Sequence, residues 1–123
     1  DWSSDVCSSD LDFEDRCTLH DCLIVCRFYR DFYTWEELGK LVAMTTGMEL
    51  DQENLRAVAS RVTDSTRQFN IREGLTAADD RLPKRLISEN LESGKHLSAE
   101  EVATMVRDYY RLRGWDDAGR PRP

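Results

Sequence analysis

The chain has 123 residues, 40% of them hydrophobic, with 24 acidic against 17 basic side chains and a formal net charge of −7. That length is one domain's worth of chain or less. The acidic balance argues against a nucleic-acid partner, which needs a concentrated positive face to displace counterions from phosphates.

No apolar run approaches the roughly 20 residues that span a bilayer, and no N-terminal stretch has the pattern of a secretory signal. The expectation is therefore a cytoplasmic chain with no membrane partner. The four cysteines, Cys7, Cys17, Cys22 and Cys26, all lie in the first quarter. Disulfides between them would staple little of the chain, so reduced thiols, buried or metal-binding, are expected.

In chain order, residues 1–11 come first. Asp5-Val6-Cys7-Ser8-Ser9-Asp10-Leu11 reads like a translated sequencing adapter, and residues 1–11 are expected to be a non-native, poorly ordered tail. Residues 12–123 are then expected to be a partial helical domain. Leu19, Leu23 and Cys26 fall three or four apart, as on one helical face. A helix through Cys22 toward Arg30 and a break at the cysteines are both compatible with the pattern. Thr34-Trp35-Glu36-Glu37 is a capping box. It predicts a helix with Trp35, Leu38, Leu41, Val42 and Thr45 on one stripe and Gly47 as its left-handed stop.

Asp51 predicts the cap of the next helix. Leu55, Val58, Ala59, Val62, Thr66 and Phe69 form its apolar stripe, Arg56, Arg61 and Arg67 its solvated face, and Gly74 its end. Leu75 to Leu97 reads as an irregular connection in which Pro83 blocks a through-going helix; part of Leu86–Leu91 could form a short one. Ser98-Ala99-Glu100-Glu101 is a second capping box. Val102, Met105, Val106, Tyr109 and Leu112 predict a buried stripe, and Gly114 a stop. No strand pair is recognisable, so the fold class expected is all-α, an irregular helical array.

The chemistry-bearing residues crowd into Cys17–Cys26. Cys17, His20, Cys22 and Cys26 offer four soft or borderline ligands. Their spacing matches no common zinc or ferredoxin pattern. Buried thiols are the plain alternative. A Cys22–His20 dyad is disfavoured, because residues two apart on a helix point to different sides. A nucleophile elbow, a phosphate-binding glycine loop and a His-Glu-x-x-His pair are all missing from the sequence.

Three stretches carry a family resemblance. They are Arg67-Gln68-Phe69-Asn70-Ile71-Arg72-Glu73-Gly74, then Asp79-Asp80-Arg81-Leu82-Pro83-Lys84-Arg85, then Tyr109-Tyr110-Arg111-Leu112-Arg113-Gly114-Trp115-Asp116 with Gly119 and Pro121. In this order and at these separations the chain resembles the C-terminal region of the aldehyde:ferredoxin oxidoreductases, from about Phe13 to Pro121. The resemblance implies a helical piece, truncated at both ends, of an enzyme with a tungsten (or molybdenum) bis-pterin and a [4Fe–4S] cluster. Such an enzyme oxidises aldehydes to carboxylic acids and passes electrons to ferredoxin; a relative performing another low-potential reduction is a variant of this reading.

The family's Asp-x-x-Gly-Leu-Cys motif falls on Asp21 to Cys26. The resemblance implies Cys26 as the fourth cluster ligand, Asp21 as a pterin contact and Val25 as a backbone contact. No catalytic acid or base is implied within the chain, and the piece alone is expected to be inactive. Ile24 stands where the family has Gly, and Val25 where it has Leu. A β-branched residue resists the backbone shape that glycine allows, so Ile24 marks the point of departure. The Asp79/Asp80 and Arg81/Arg85 charges are expected to form structural ion pairs. Homo-oligomerisation is left open. The rival reading is a non-enzymatic helical module using Cys17, His20, Cys22 and Cys26 as its own metal site.

Overall fold

The structure, a computed structural model, describes residues 2–88 and 97–122. Among these residues the regular elements are all helical. They are α1 (Trp2–Cys22), α2 (Trp35–Thr46), α3 (Gln52–Arg72), α4 (Lys84–Ser88) and α5 (Ala99–Arg113), with short 3-10 helices at Arg27–Phe32 and Ala77–Asp79. No strand occurs among the described residues, and the fold class is all-α. Among the described residues no helix is long and apolar enough to cross a membrane. The chain divides into two compact units, residues 9–66 and residues 67–123 together with 1–8.

Helix starts follow the local chemistry of the sequence. At α2 the Glu37 N–H donates to Thr34 Oγ1 at 3.5 Å, and the Thr34 N–H donates back to Glu37 Oε2 at 3.0 Å. At α5 the Glu101 N–H donates to Ser98 Oγ at 3.1 Å, and the Ser98 N–H to Glu101 Oε2 at 2.8 Å. Each box satisfies two backbone donors that a helix end otherwise leaves unpaired. Asp51 caps α3 by accepting from the Asn54 N–H at 2.9 Å. The first helix extends further back than the periodicity suggested, since α1 includes residues 2–11. It ends at Cys22, and the turn at the cysteines breaks the helix before Arg27.

In the unit of residues 9–66 the core is Leu19, Leu38, Val42, Leu55 and Ala59, with Leu23, Tyr33, Trp35, Leu50 and Val58 packed against it. Full burial of a leucine such as Leu38 or Leu55 is worth about 1.5–3 kcal/mol. The outer stripe positions Thr45, Thr66 and Phe69 are exposed. Asp12 joins three helices. Its Oδ1 accepts from Trp35 Nε1 at 2.9 Å and from the Arg56 guanidinium, and its Oδ2 accepts from Arg16 Nε at 3.1 Å. The Arg56 guanidinium also lies over the Trp35 ring, 4.8 Å from its centroid. Arg56 is thus a packed, paired side chain, which corrects the expectation of a solvated one.

In the other unit Arg67 plays a similar part, and the same correction applies to it more strongly. Its side chain is only 10% exposed. Nε donates to the Gly119 carbonyl at 2.8 Å, and the guanidinium fork grips both Asp80 oxygens. Tyr110 donates its hydroxyl to Asp80, and Arg67 lies over the Tyr110 and Trp115 rings. The Arg67 hydrogen bonds hold the Asp80 carboxyl below the usual carboxylate range. Burial, then the Asp80 carboxylate, pushes the Tyr110 phenol up to about 12.

Gly119 is required in this knot. Its φ is +68°, and a Cβ there would lie 2.6 Å from Arg67 Nη2 and from Tyr110 Cζ. On α5 the buried residues are Val102 and Tyr110, while Leu112, expected inside, is 40% exposed. The stacking of Tyr110 against Trp115 and Arg67 decides which side of the helix turns inward. Asp80 is the structural ion-pair partner expected of it. Asp79 instead accepts from the N–H and hydroxyl of Thr76. Residues 89–96, which include His96 and the end of the short helix expected around Leu86–Leu91, lie outside the described residues.

Candidate cofactor-binding loop

The stretch Asp21–Arg27 is the C-terminal exit of α1. The Val25 N–H donates to the His20 carbonyl at 2.8 Å and the Ile24 N–H to the Asp21 carbonyl at 3.2 Å. This pair of crossed bonds is the Schellman arrangement, which needs a left-handed residue just past the helix. Here that residue is Ile24, with φ +56°. The same pair of bonds closes α3, from Leu75 to Asn70 and Gly74 to Ile71, and α5, from Trp115 to Tyr110 and Gly114 to Arg111. In those two the left-handed residue is glycine, with φ +102° at Gly74 and +72° at Gly114. Ile24 is the sole non-glycine at positive φ among the described residues. Its backbone therefore takes the shape that glycine would take, at a cost of about 1–2 kcal/mol for a side chain with a Cβ.

The turn sorts the chemical groups to different places. Asp21 and Cys26 are exposed, and Val25 is half-buried. Cys26 is a free thiol in extended backbone (φ −64°, ψ 124°) immediately before the 3-10 helix Arg27–Phe32, and its carbonyl accepts from the Tyr29 N–H at 3.1 Å. The Asp21 carboxylate is clasped by Arg27: Nε donates to Oδ1 at 2.9 Å and Nη2 to Oδ2. This fork, first through its hydrogen bonds, holds the Asp21 carboxyl below the usual range. Beyond Cys26 the side chains of Phe28, Tyr29 and Phe32 are exposed.

Cys17 and His20 turn the other way. Cys17 is buried, and His20 is fully buried with its ring edge-on to Tyr33 at 5.8 Å between centroids. Neither imidazole nitrogen of His20 has a hydrogen-bond partner among the described residues. Burial, then the nearby Arg16 charge, lowers its pKa below the ordinary histidine value. The four residues of the rival reading are thus split, Cys17 and His20 inward, Cys22 and Cys26 outward. No group of three or more His, Cys, Asp and Glu placed to hold a metal occurs among the described residues. A self-contained Cys/His site is not what this geometry builds.

Residues 8–123 match the sequence model of the family described as aldehyde ferredoxin oxidoreductase, domains 2 and 3. The chain belongs to that family. It is 29% identical over 122 residues to a tungsten-containing aldehyde ferredoxin oxidoreductase of Pyrococcus furiosus, covering 98% of this chain and 20% of that protein. Proteins of the same description from Thermococcus kodakarensis and Pyrococcus abyssi are each 28% identical over 110 residues, which is 88% of this chain and 18% of theirs. The chain therefore spans about a fifth of the length of these relatives. No solved structure matches it significantly. The family match begins at residue 8, inside the stretch that reads like an adapter.

The residues at the loop fit the groups such a family implies. A free exposed thiol is a suitable iron ligand in an iron–sulfur cluster, and an exposed carboxylate accepts hydrogen bonds from ring N–H groups. The left-handed turn at Ile24 lies between them. Sequence reasoning did not pair Asp21 with Arg27. The signal was available in the opposite charges six residues apart, but only a helix that stops at Cys22 lets them meet.

Proposed function

We propose that this chain is part of a tungsten (or molybdenum) bis-pterin oxidoreductase, in which Cys26 is one thiolate ligand of a [4Fe–4S] cluster and Asp21 and Val25 contact the pterin. The observation that supports this reading is the left-handed turn at Ile24, at the place of the family's glycine, between an exposed carboxylate and an exposed free thiol. The parent family is one of oxidoreductases. When bound, the metal–pterin group and cluster together supply a two-electron oxidation of an aldehyde to a carboxylic acid, with the electrons passed on to ferredoxin.

The chain's own residues bind and orient. Cys26 gives its thiolate to iron, Asp21 accepts from the pterin's N–H groups, and Val25 offers its carbonyl, because its N–H is already committed to His20. Arg67, Asp80 and Tyr110 hold their own unit together. On this reading the 123 residues alone supply one cluster ligand of four and are inactive, and the whole enzyme is cytoplasmic.

The full-length protein, purified without oxygen after growth with tungstate, is expected to carry tungsten, pterin and iron and to reduce ferredoxin only when aldehyde is added. The 123-residue chain is expected to do neither. A full-length protein that holds no iron, or reduces ferredoxin with no dependence on aldehyde, contradicts the proposal.

A further inference from the structure

The exposed ion pair at the loop carries more than loop stability. A carboxylate oxygen has two lone pairs, and the Arg27 fork uses one on each oxygen of Asp21. One lone pair on each oxygen is left for a second donor. A bidentate guanidinium fixes the plane of a carboxylate in a way that a point charge does not. Arg27 also directly follows Cys26 in the chain, so the clasp closes a ring of backbone around Ile24 and Val25. In water an exposed pair of this kind contributes little to stability. Here both partners lie on the two ends of the segment proposed to touch cofactor, which gives the pair a use that its exposure does not.

We infer that Arg27 is a positioning residue acting through Asp21: its guanidinium locks the carboxylate plane across the Ile24 turn so that the free lone pairs face the pterin. This rests on the reading of Asp21 as a pterin contact. The residue that orients a ligand-binding group is commonly worth 10–100-fold in affinity, and that is the effect expected here.

The test uses the full-length enzyme with Asp21→Asn, Arg27→Gln, Arg27→Lys and the double variant Asp21→Asn/Arg27→Gln. Pterin release from each is followed as fluorescence after oxidation of the freed pterin, with circular dichroism as the check on folding. Arg27→Gln is expected to release pterin about 10-fold faster or more. Arg27→Lys, which keeps the charge and lacks the fork, is expected to restore only part of the retention. The double variant is expected to behave as Asp21→Asn alone, because a residue acting through Asp21 has nothing left to act on.

A second reading comes from the carboxyl itself. The ¹³C shift of Asp21 in Arg27→Lys is expected to titrate at higher pH than in the wild type; it serves also if Arg27→Gln does not fold. Additive losses in the double variant, or unchanged release and titration in the Arg27 variants, overturn the inference while leaving the Asp21 reading in place. Unchanged release from Asp21→Asn instead removes the Asp21 reading, and the inference with it.

Discussion

At the scale of single residues the most informative side chain is Ile24. Its exposure, 92%, means that replacing it removes no packing. Its φ of +56° means that glycine would relieve strain. Relief of about 1–2 kcal/mol is partly offset by the greater freedom glycine gives the unfolded chain, about 0.4–1 kcal/mol. Ile24→Gly is therefore expected to stabilise the chain by about 0.5–1 kcal/mol, read from the urea midpoint. A destabilised variant would mean that the turn is not left-handed.

The sequence flagged this position for the right residue and the wrong outcome. A β-branched side chain resists positive φ, but two crossed backbone hydrogen bonds and an open surface let it adopt one. Tyr110 gives the second test. Its pKa is raised in the fold, from the ordinary 10 to about 12. A raised value means stability that is whole below about pH 10 and is lost as pH climbs toward 12. The loss from this group is on the order of 2 kcal/mol. Ultraviolet titration of wild type against Tyr110→Phe is expected to place the missing phenolate step near 12; a step near 10 would deny the Asp80 bond and the burial.

Elements were legible wherever their cause is local. Both capping boxes, the Asp51 cap and the stops at Gly47, Gly74 and Gly114 are set within a few residues, and each holds as read. Ser98→Ala is expected to cost about 1 kcal/mol, with faster amide exchange confined to the first turn of α5. Exchange unchanged there would mean that the cap hydrogen bonds are not made in solution. What the sequence hid is non-local. Arg56 and Arg67 look like ordinary charges on the polar face of α3. Their partners, Asp12 and Asp80, are 44 and 13 residues away. Leu112 fits the apolar period of α5, yet Tyr110 is inside, because Trp115 and Arg67 supply flat surfaces that a ring fills and a leucine does not. The stretches that carried the family resemblance meet in this knot: Arg67 from one, Asp80 from the next, Tyr110 and Gly119 from the last. Their spacing in sequence reflects a fold requirement.

For the whole molecule, an all-α chain covering about a fifth of its relatives' length presents a thiol, a carboxylate and a left-handed turn on one exposed loop, and keeps Cys17 and His20 inside. That partition sets Cys17 apart from Cys26, and the family motif that falls on Asp21 to Cys26 is what assigns Cys26 and not the equally exposed Cys22 to iron. The decisive measurement is iron and acid-labile sulfide per chain in the full-length enzyme carrying Cys26→Ser, beside Cys17→Ser and Cys22→Ser. The account predicts that Cys26→Ser loses the cluster while the other two keep it. An undiminished iron and sulfide content in Cys26→Ser would contradict it.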